Sequence, residues 1–408
     1  KVISPFRLKR FLVLIQLPQI DDLAETEPTS AILDFCKRKF LRPFLNLLGS
    51  VGLHPMMSDM SCCRACLSHL QTSLMIVLIT TGYFMQYFTS FRRDRGFYAN
   101  SSSMYDLVLN QPYHRDSQDF GELLFVYLIP SALHFFGFLS AIYVIRAADN
   151  EQMQNLVERV FLMSNSPKRL CTTLWLFVGG GAITLGLLLT QVIFAIIPRV
   201  NVIFLIFTLF AHDAVQIAVL TTYCIQCYLL RLHLFNLKEK LMQHTIDTMV
   251  WMREVLEFRK LLSHLNKKIA VSVGFFTVMN LTFAFAGLVF LFQEYEWNAG
   301  LKHLAINIIN FFLWLIIGLM PFFFAASVTR SCKSTQESGH QIRIRPFVYH
   351  NTPQQDLDST LLFVSSLNMS AKLFRMPIQG NYLCCSILIV SIIVLTLGMC
   401  LNLSLGNV

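Results

Sequence analysis

Residues 202–230 read VIFLIFTLFAHDAVQIAVLTTYCIQCYLL, a run holding one carboxylate and no lysine or arginine. A hydrocarbon core of about 30 Å needs roughly 20 such residues in a helix. No open strand or loop satisfies its backbone N–H and C=O groups in lipid, so the run predicts a membrane-crossing helix. Six further segments have the same character, near 68–90, 122–145, 171–197, 270–292, 303–329 and 379–405. The apolar runs Phe11–Leu17 and Leu156–Met163 are too short to cross and read as amphipathic or buried cytoplasmic pieces.

Composition agrees. Hydrophobic residues make up 54% of the 408, charged residues 14%, and there are 36 Phe. That is more apolar surface than a water-soluble core of this size hides, and the mean hydropathy is +0.54. The net charge of +9 raises the possibility of nucleic acid, but the basic residues lie between apolar runs and not on one polar domain. They report orientation instead. Of the 33 Lys and Arg, 27 fall in the N-terminal segment and the second, fourth and sixth loops. The other side has Arg92, Arg93, Arg95, Arg115, Arg199 and Lys302. Basic loops stay in the cytoplasm, so the N-terminus is expected inside and the C-terminus outside. Asn100-Ser101-Ser102 is then a glycosylation acceptor on the outer side, and none of the 11 Cys lies in an outer loop, so no extracellular disulfide framework is expected. G-protein-coupled receptors share the number of spans but run the other way.

The expected organisation is all-α: a cytoplasmic segment 1–67, a seven-helix membrane domain 68–405 with helical cytoplasmic extensions 231–269 and 330–378, and an outer tail 406–408. Leu230, Leu234, Leu237 and Leu241 recur at helical spacing, as do Val255, Phe258, Leu262, Leu265 and Ile269. These stripes pack within one subunit or form an assembly surface. Ser334–Pro353 reads as a mobile loop, and Ser359–Leu373 as a short helix before the last span.

His212 and Asp213 sit adjacent, about ten residues from the outer end of the fourth span. An ionisable side chain at that depth faces protein or water. One reading is a ligand pocket in the outer half, with His212 and Asp213 joined by Tyr127, Pro130 and His134 of span 2, Gln191 of span 3, Phe285 of span 5, and Asn307, Asn310 and Trp314 of span 6. The other makes Asp213 an interhelical hydrogen-bond anchor. Cys62, Cys63 and Cys66 lack a second pair or a nearby His, and read as acylation sites or reduced thiols and not as a metal site. Gly179-Gly180-Gly181 lies inside a span and reads as a close-packing or flexible point and not as a phosphate loop. No catalytic constellation is visible, so neither enzyme activity nor a cofactor is expected.

Over almost the whole chain, this organisation resembles the invertebrate gustatory receptors, including their nematode light-receptor-like members. Phe44-Leu45-Asn46-Leu47-Leu48-Gly49 with Gly52-Leu53-His54-Pro55 looks like the family's helix ahead of the first span. Arg253-Glu254 and Leu262-x-x-Leu265-Asn266 are similar to its cytoplasmic bundle, and Phe374, Gly380 and Tyr382 to its approach to the last span. The family's Thr-Tyr, five apolar residues, Gln-Phe becomes Leu395-Thr396, Leu397–Leu401, Asn402-Leu403 here, which keeps only an amide at the Gln position.

The resemblance implies a homo- or heterotetrameric cation channel in the plasma membrane of a sensory or neuronal cell, opened by a small molecule. The seventh helix would line the pore, with Thr396, Met399, Asn402 and Leu403 as its lining. The alternative for Asn402 is a helix cap near the headgroups, and for the protein a seven-span receptor that signals through a partner without conducting.

Overall fold

The computed structural model describes residues 29–55, 62–88, 91, 93, 127–148, 150–164, 166–195, 202–243, 245–293, 301–344, 354–373 and 376–379. Helix α1 (Thr29–Cys36) passes through a π turn, Lys37–Leu41, into α2 (Arg42–Ser50). There follow α3 (Cys62–Phe88), α4 (Ile129–Ile142), α5 (Asn150–Met163), α6 (Pro167–Ala195) and α7 (Val202–Met242). Then come α8 (Thr248–His264), α9 (Ala270–Gln293), α10 (Leu301–Ile344) and α11 (Gln354–Ser366). The described strands, β1 (Lys372–Leu373) and β2 (Met376–Pro377), form a small antiparallel hairpin.

The architecture is an all-helical membrane bundle. Among the described residues five segments are long and apolar enough to cross: Ile129–Arg146, Pro167–Ile193, Ile203–Met242, Thr248–Leu288 and Asn307–Gln341. The 27 residues of α3 match the expected first span in length. The seventh span, the pore candidates Thr396, Met399, Asn402 and Leu403, the sequon at Asn100, and Phe11–Leu17 lie outside the described residues.

Helix α7 is the hub and packs against α3, α4, α5, α6, α8, α9 and α10. Along it Leu209, Val215, Tyr223, Leu230, Leu234, Leu237 and Leu241 are all buried. Helix α6 is peripheral: Leu176 and Ile183 are 70% and 67% exposed, as suits side chains solvated by lipid.

At the basic end the helices outrun the expected spans. Helix α7 reaches Met242, α8 joins α9 through a further π turn, Leu265–Ile269, and α10 runs to Ile344. With α1, α2, α5 and α11 they build a bundle whose centre is Trp251, fully buried against Phe363. Val255, Phe258, Leu262, Leu265 and Ile269 are buried too, so both leucine-rich stripes pack within the subunit. Helix α5 inserts Leu156, Val157, Val160 and Phe161, as its short apolar run suggested.

Two expectations need correction. Residues 334–344, read as part of a loop, continue α10. Thr335 and Ser338 are buried, and their hydroxyls donate to the carbonyls of Ser331 and Ser334 one turn back. The expected helix over 359–373 instead occupies Gln354–Ser366 and gives way to the hairpin.

The glycine-terminated helix ahead of the first span is present. Gly52 adopts φ +80°, and the N–H of Leu53 reaches the carbonyl of Leu48 at 3.0 Å, closing α2 in a left-handed cap. The carbonyl of Gly49 accepts from Gln71 of α3 at 2.9 Å, which ties this cap to the first span.

Candidate functional site

Near the end of the bundle opposite the basic one, α3, α4, α7 and α9 converge on a set of polar side chains in otherwise apolar helices. Tyr83 of α3 donates its hydroxyl to Nδ1 of His134 of α4 at 2.7 Å. Nε2 of His134 lies 3.1 Å from the carbonyl of His212 on α7, and Nδ1 of His212 lies 2.6 Å from the carbonyl of Thr208. A carbonyl only accepts, so His134 carries its proton on Nε2 and His212 on Nδ1. Nε2 of His212 is buried, and the backbone of Ile79, like that of Thr208, lies beside this ring.

The three rings are in mutual contact, with centroids 4.7 Å apart for Tyr83 and His212 and 4.9 Å for His134 and His212. This closeness depends on Gly82. A Cβ there would collide with Cε1 of His212 and lie 3.0 Å from Cβ of Thr208.

Beside the rings, Arg93 meets Asp213. Nη1 of Arg93 is 2.5 Å from Oδ1 of Asp213, and Nη2 donates to the carbonyl of Leu209 at 3.3 Å. Both side chains are less than a tenth exposed. A lone carboxylate in a membrane interior is costly, and the guanidinium offsets that cost while tying the chain after α3 to the first third of α7. Toward the basic end, Gln216 of α7 donates to Asn280 of α9 at 2.8 Å, and Ser272 of α9 to the carbonyl of Gly137 of α4 at 2.7 Å. Such bonds hold helices together where lipid supplies no hydrophobic drive.

A cavity of about 20 Å³ sits among these groups, lined by Tyr83, Gln86, Phe91, Arg93, Tyr127, Pro130, Ser131, His134, His212, Met279 and Phe283. That is room for about one water.

Of the residues expected in a ligand pocket, Tyr127, Pro130, His134 and His212 line this cavity, and Asp213 lies behind it as the partner of Arg93. Trp314 is buried one ring further out, 5.0 Å from Phe283, with its Nε1 unpaired among the described residues. Asn307 and Asn310, on the same helix as Trp314, are buried and do not line the cavity. Gln191 lies on α6, beside the Val192 that packs against Phe91, Leu205 and Leu209. Phe285 is 47% exposed and turned away from the cavity.

Sequence reasoning missed Tyr83, Gln86, Arg93 and Phe283. Arg93 entered it only as one of six outer cations, although a buried carboxylate calls for a cation and that face has few to offer.

No protein-family model matches the chain, and no curated protein matches it in sequence. The fold does have solved counterparts. The structure of the insect olfactory receptor OR5 from Machilis hrabei in complex with eugenol is similar with a TM-score of 0.59 over 91% of this chain and 100% of that one, at 9% identity. A second structure of the insect olfactory receptor OR5 from Machilis hrabei is similar with a TM-score of 0.59 at 10% identity, covering 90% and 98% of the two chains. At such identity the likeness establishes the fold.

Proposed function

We propose that this chain is a chemoreceptor-like subunit of a ligand-gated cation channel, of the gustatory-receptor kind. The observation that carries the reading is the buried cluster of Tyr83, His134, His212, Arg93 and Asp213 around a cavity, in a fold shared with an insect olfactory receptor. A solitary structural bond needs no cavity, and a plain helix interface needs no cluster of three hydrogen-bonding rings beside a buried ion pair.

The stimulus is a small organic molecule with a polar group and an apolar body, since Tyr83, His134 and His212 offer polar atoms and Tyr127, Phe91 and Phe283 offer apolar walls. A molecule of that size exceeds 20 Å³. It enters by parting α3 and α4 from α7, which moves the Arg93 to Asp213 link. The insect olfactory receptor OR5 from Machilis hrabei, which shares the fold, was solved in complex with eugenol, a small organic molecule. Four subunits would set their last spans about a central axis, where the Asn402 side-chain carbonyls replace part of a cation's hydration and Met399, Leu403 and Thr396 line the path. The assembly sits in the plasma membrane of a sensory cell.

The test is whole-cell current in cells expressing this chain, while small aromatic alcohols are applied and permeant ions exchanged. A cation current whose selectivity shifts with Asn402→Ala supports the channel. Ligand binding to purified protein with no current would instead favour a receptor that signals through a partner.

A further inference from the structure

A second cavity lies at the opposite end of the molecule, where α8 runs into α9. It is a cleft of about 960 Å³ between that continuous helix and the segment 368–372 leading to the hairpin. Arg259, Ser263, Lys267, Val271 and Phe275 all line it and recur every four residues, so one face of the rod passes from basic to apolar as it enters the fifth span. Lys372 lines the facing wall. Asn266 joins the two walls: its side chain donates to the carbonyl of Ser370 at 2.9 Å and accepts from the N–H of Lys372 at 2.8 Å.

We propose that this cleft takes the headgroup of a multiply phosphorylated anionic phospholipid from the cytoplasmic leaflet. No carboxylate lines it, and among the described residues none of Arg259, Lys267 and Lys372 makes an ion pair. Lys267 stands at the junction of extension and span, at the depth of a phosphodiester, and Val271, 49% exposed, continues below it where an acyl chain lies. Arg259 is eight residues, about 12 Å, further from the membrane. One phosphate does not reach both, whereas a headgroup bearing a second phosphate does. Basic pockets at the inner surface of helical membrane proteins suit such lipids. Because Lys372 and Asn266 hold the segment that leads to the last span, an occupied cleft steadies that segment.

The test uses the full chain in phosphatidylcholine nanodiscs carrying a phosphatidylinositol bisphosphate, with retained lipid counted by native mass spectrometry. Wild type retains the lipid. Combining Arg259→Gln, Lys267→Gln and Lys372→Gln weakens retention about a hundredfold. The matched control Lys168→Gln, Arg169→Gln and Arg253→Gln, which neutralises exposed cations away from the cleft, leaves retention unchanged. Should the triple variant fail to fold, Lys267→Gln and Lys372→Gln singly each weaken retention about fivefold. Equal loss in the control, undiminished retention in the cleft variants, or equally tight binding of a soluble inositol phosphate without acyl chains overturns the assignment.

Discussion

The guanidinium of Arg93 and the carboxylate of Asp213 form a buried ion pair across 120 positions of sequence, joining the chain after the first transmembrane helix to the first third of the fourth. Removing one partner strands the other charge. Asp213→Asn and Arg93→Met are each expected to lower stability by about 3–5 kcal/mol, read as a fall in the unfolding temperature of detergent-purified protein. The double variant Arg93→Met, Asp213→Leu recovers most of that loss. If the double variant is as unstable as the sum of the singles, the pair is not the interaction responsible.

Gly82 lets the Tyr83 and His212 rings approach. Gly82→Val pushes His212 off its bond to Thr208 and costs about 1–3 kcal/mol through overpacking. On the proposed channel function, the response to an activating ligand falls with it, measured as a rightward shift of the current's dose-response curve. Gly179→Val on the open face of α6, where an added side chain meets nothing within 4 Å, leaves both quantities unchanged.

His233 gives the molecule a pH dependence. It lies on α7 beyond the membrane-spanning part, fully buried and stacked on Phe258, and neither ring nitrogen has a partner among the described residues. Burial, with Arg159 and Lys240 nearby, pulls its pKa down from 6.5 to about 4. The unfolded chain then binds a proton that the folded chain refuses, so stability is full above pH 6.5 and declines as the pH falls toward 4. Between pH 7 and pH 5 the loss is about 2 kcal/mol. His233→Leu should flatten that part of the melting-temperature profile, and an unchanged slope would sink the assignment.

Asn266 clamps the segment 370–372 by both ends of its amide. Asn266→Ala removes two hydrogen bonds and should cost about 1–3 kcal/mol locally. Faster hydrogen exchange at the Lys372 amide, with the core of α7 still protected, is the expected signature.

The orientation has its own check. Asn100 falls on the outer side by the distribution of basic residues. Glycosidase treatment of protein from animal cells should raise its gel mobility, and Asn100→Gln should abolish the change.

Much of the fold was legible because hydrophobicity acts residue by residue. The 29 residues from Val202 to Leu230 have to be a helix in lipid, and the uneven distribution of lysine and arginine orients the bundle without reference to any contact. The continuation of α10 through Ser334–Ile344 was not legible. Its serines and threonines resemble loop residues in composition, and only a helix already in place offers their hydroxyls the carbonyls one turn back.

The candidate site divides the same way. His212 and Asp213 announced themselves, since a charge at membrane depth is costly wherever the chain goes. The cation that answers Asp213, the tyrosine that answers His134, and the lysine of the hairpin that faces Lys267 across the cleft were decided by tertiary structure alone. Burial is a property each residue carries in its own side chain, and the sequence by itself therefore determined the membrane helices and their direction. Pairing is a property of two residues brought within about 3 Å by helices that pack far from each other in sequence, and no local pattern encodes it.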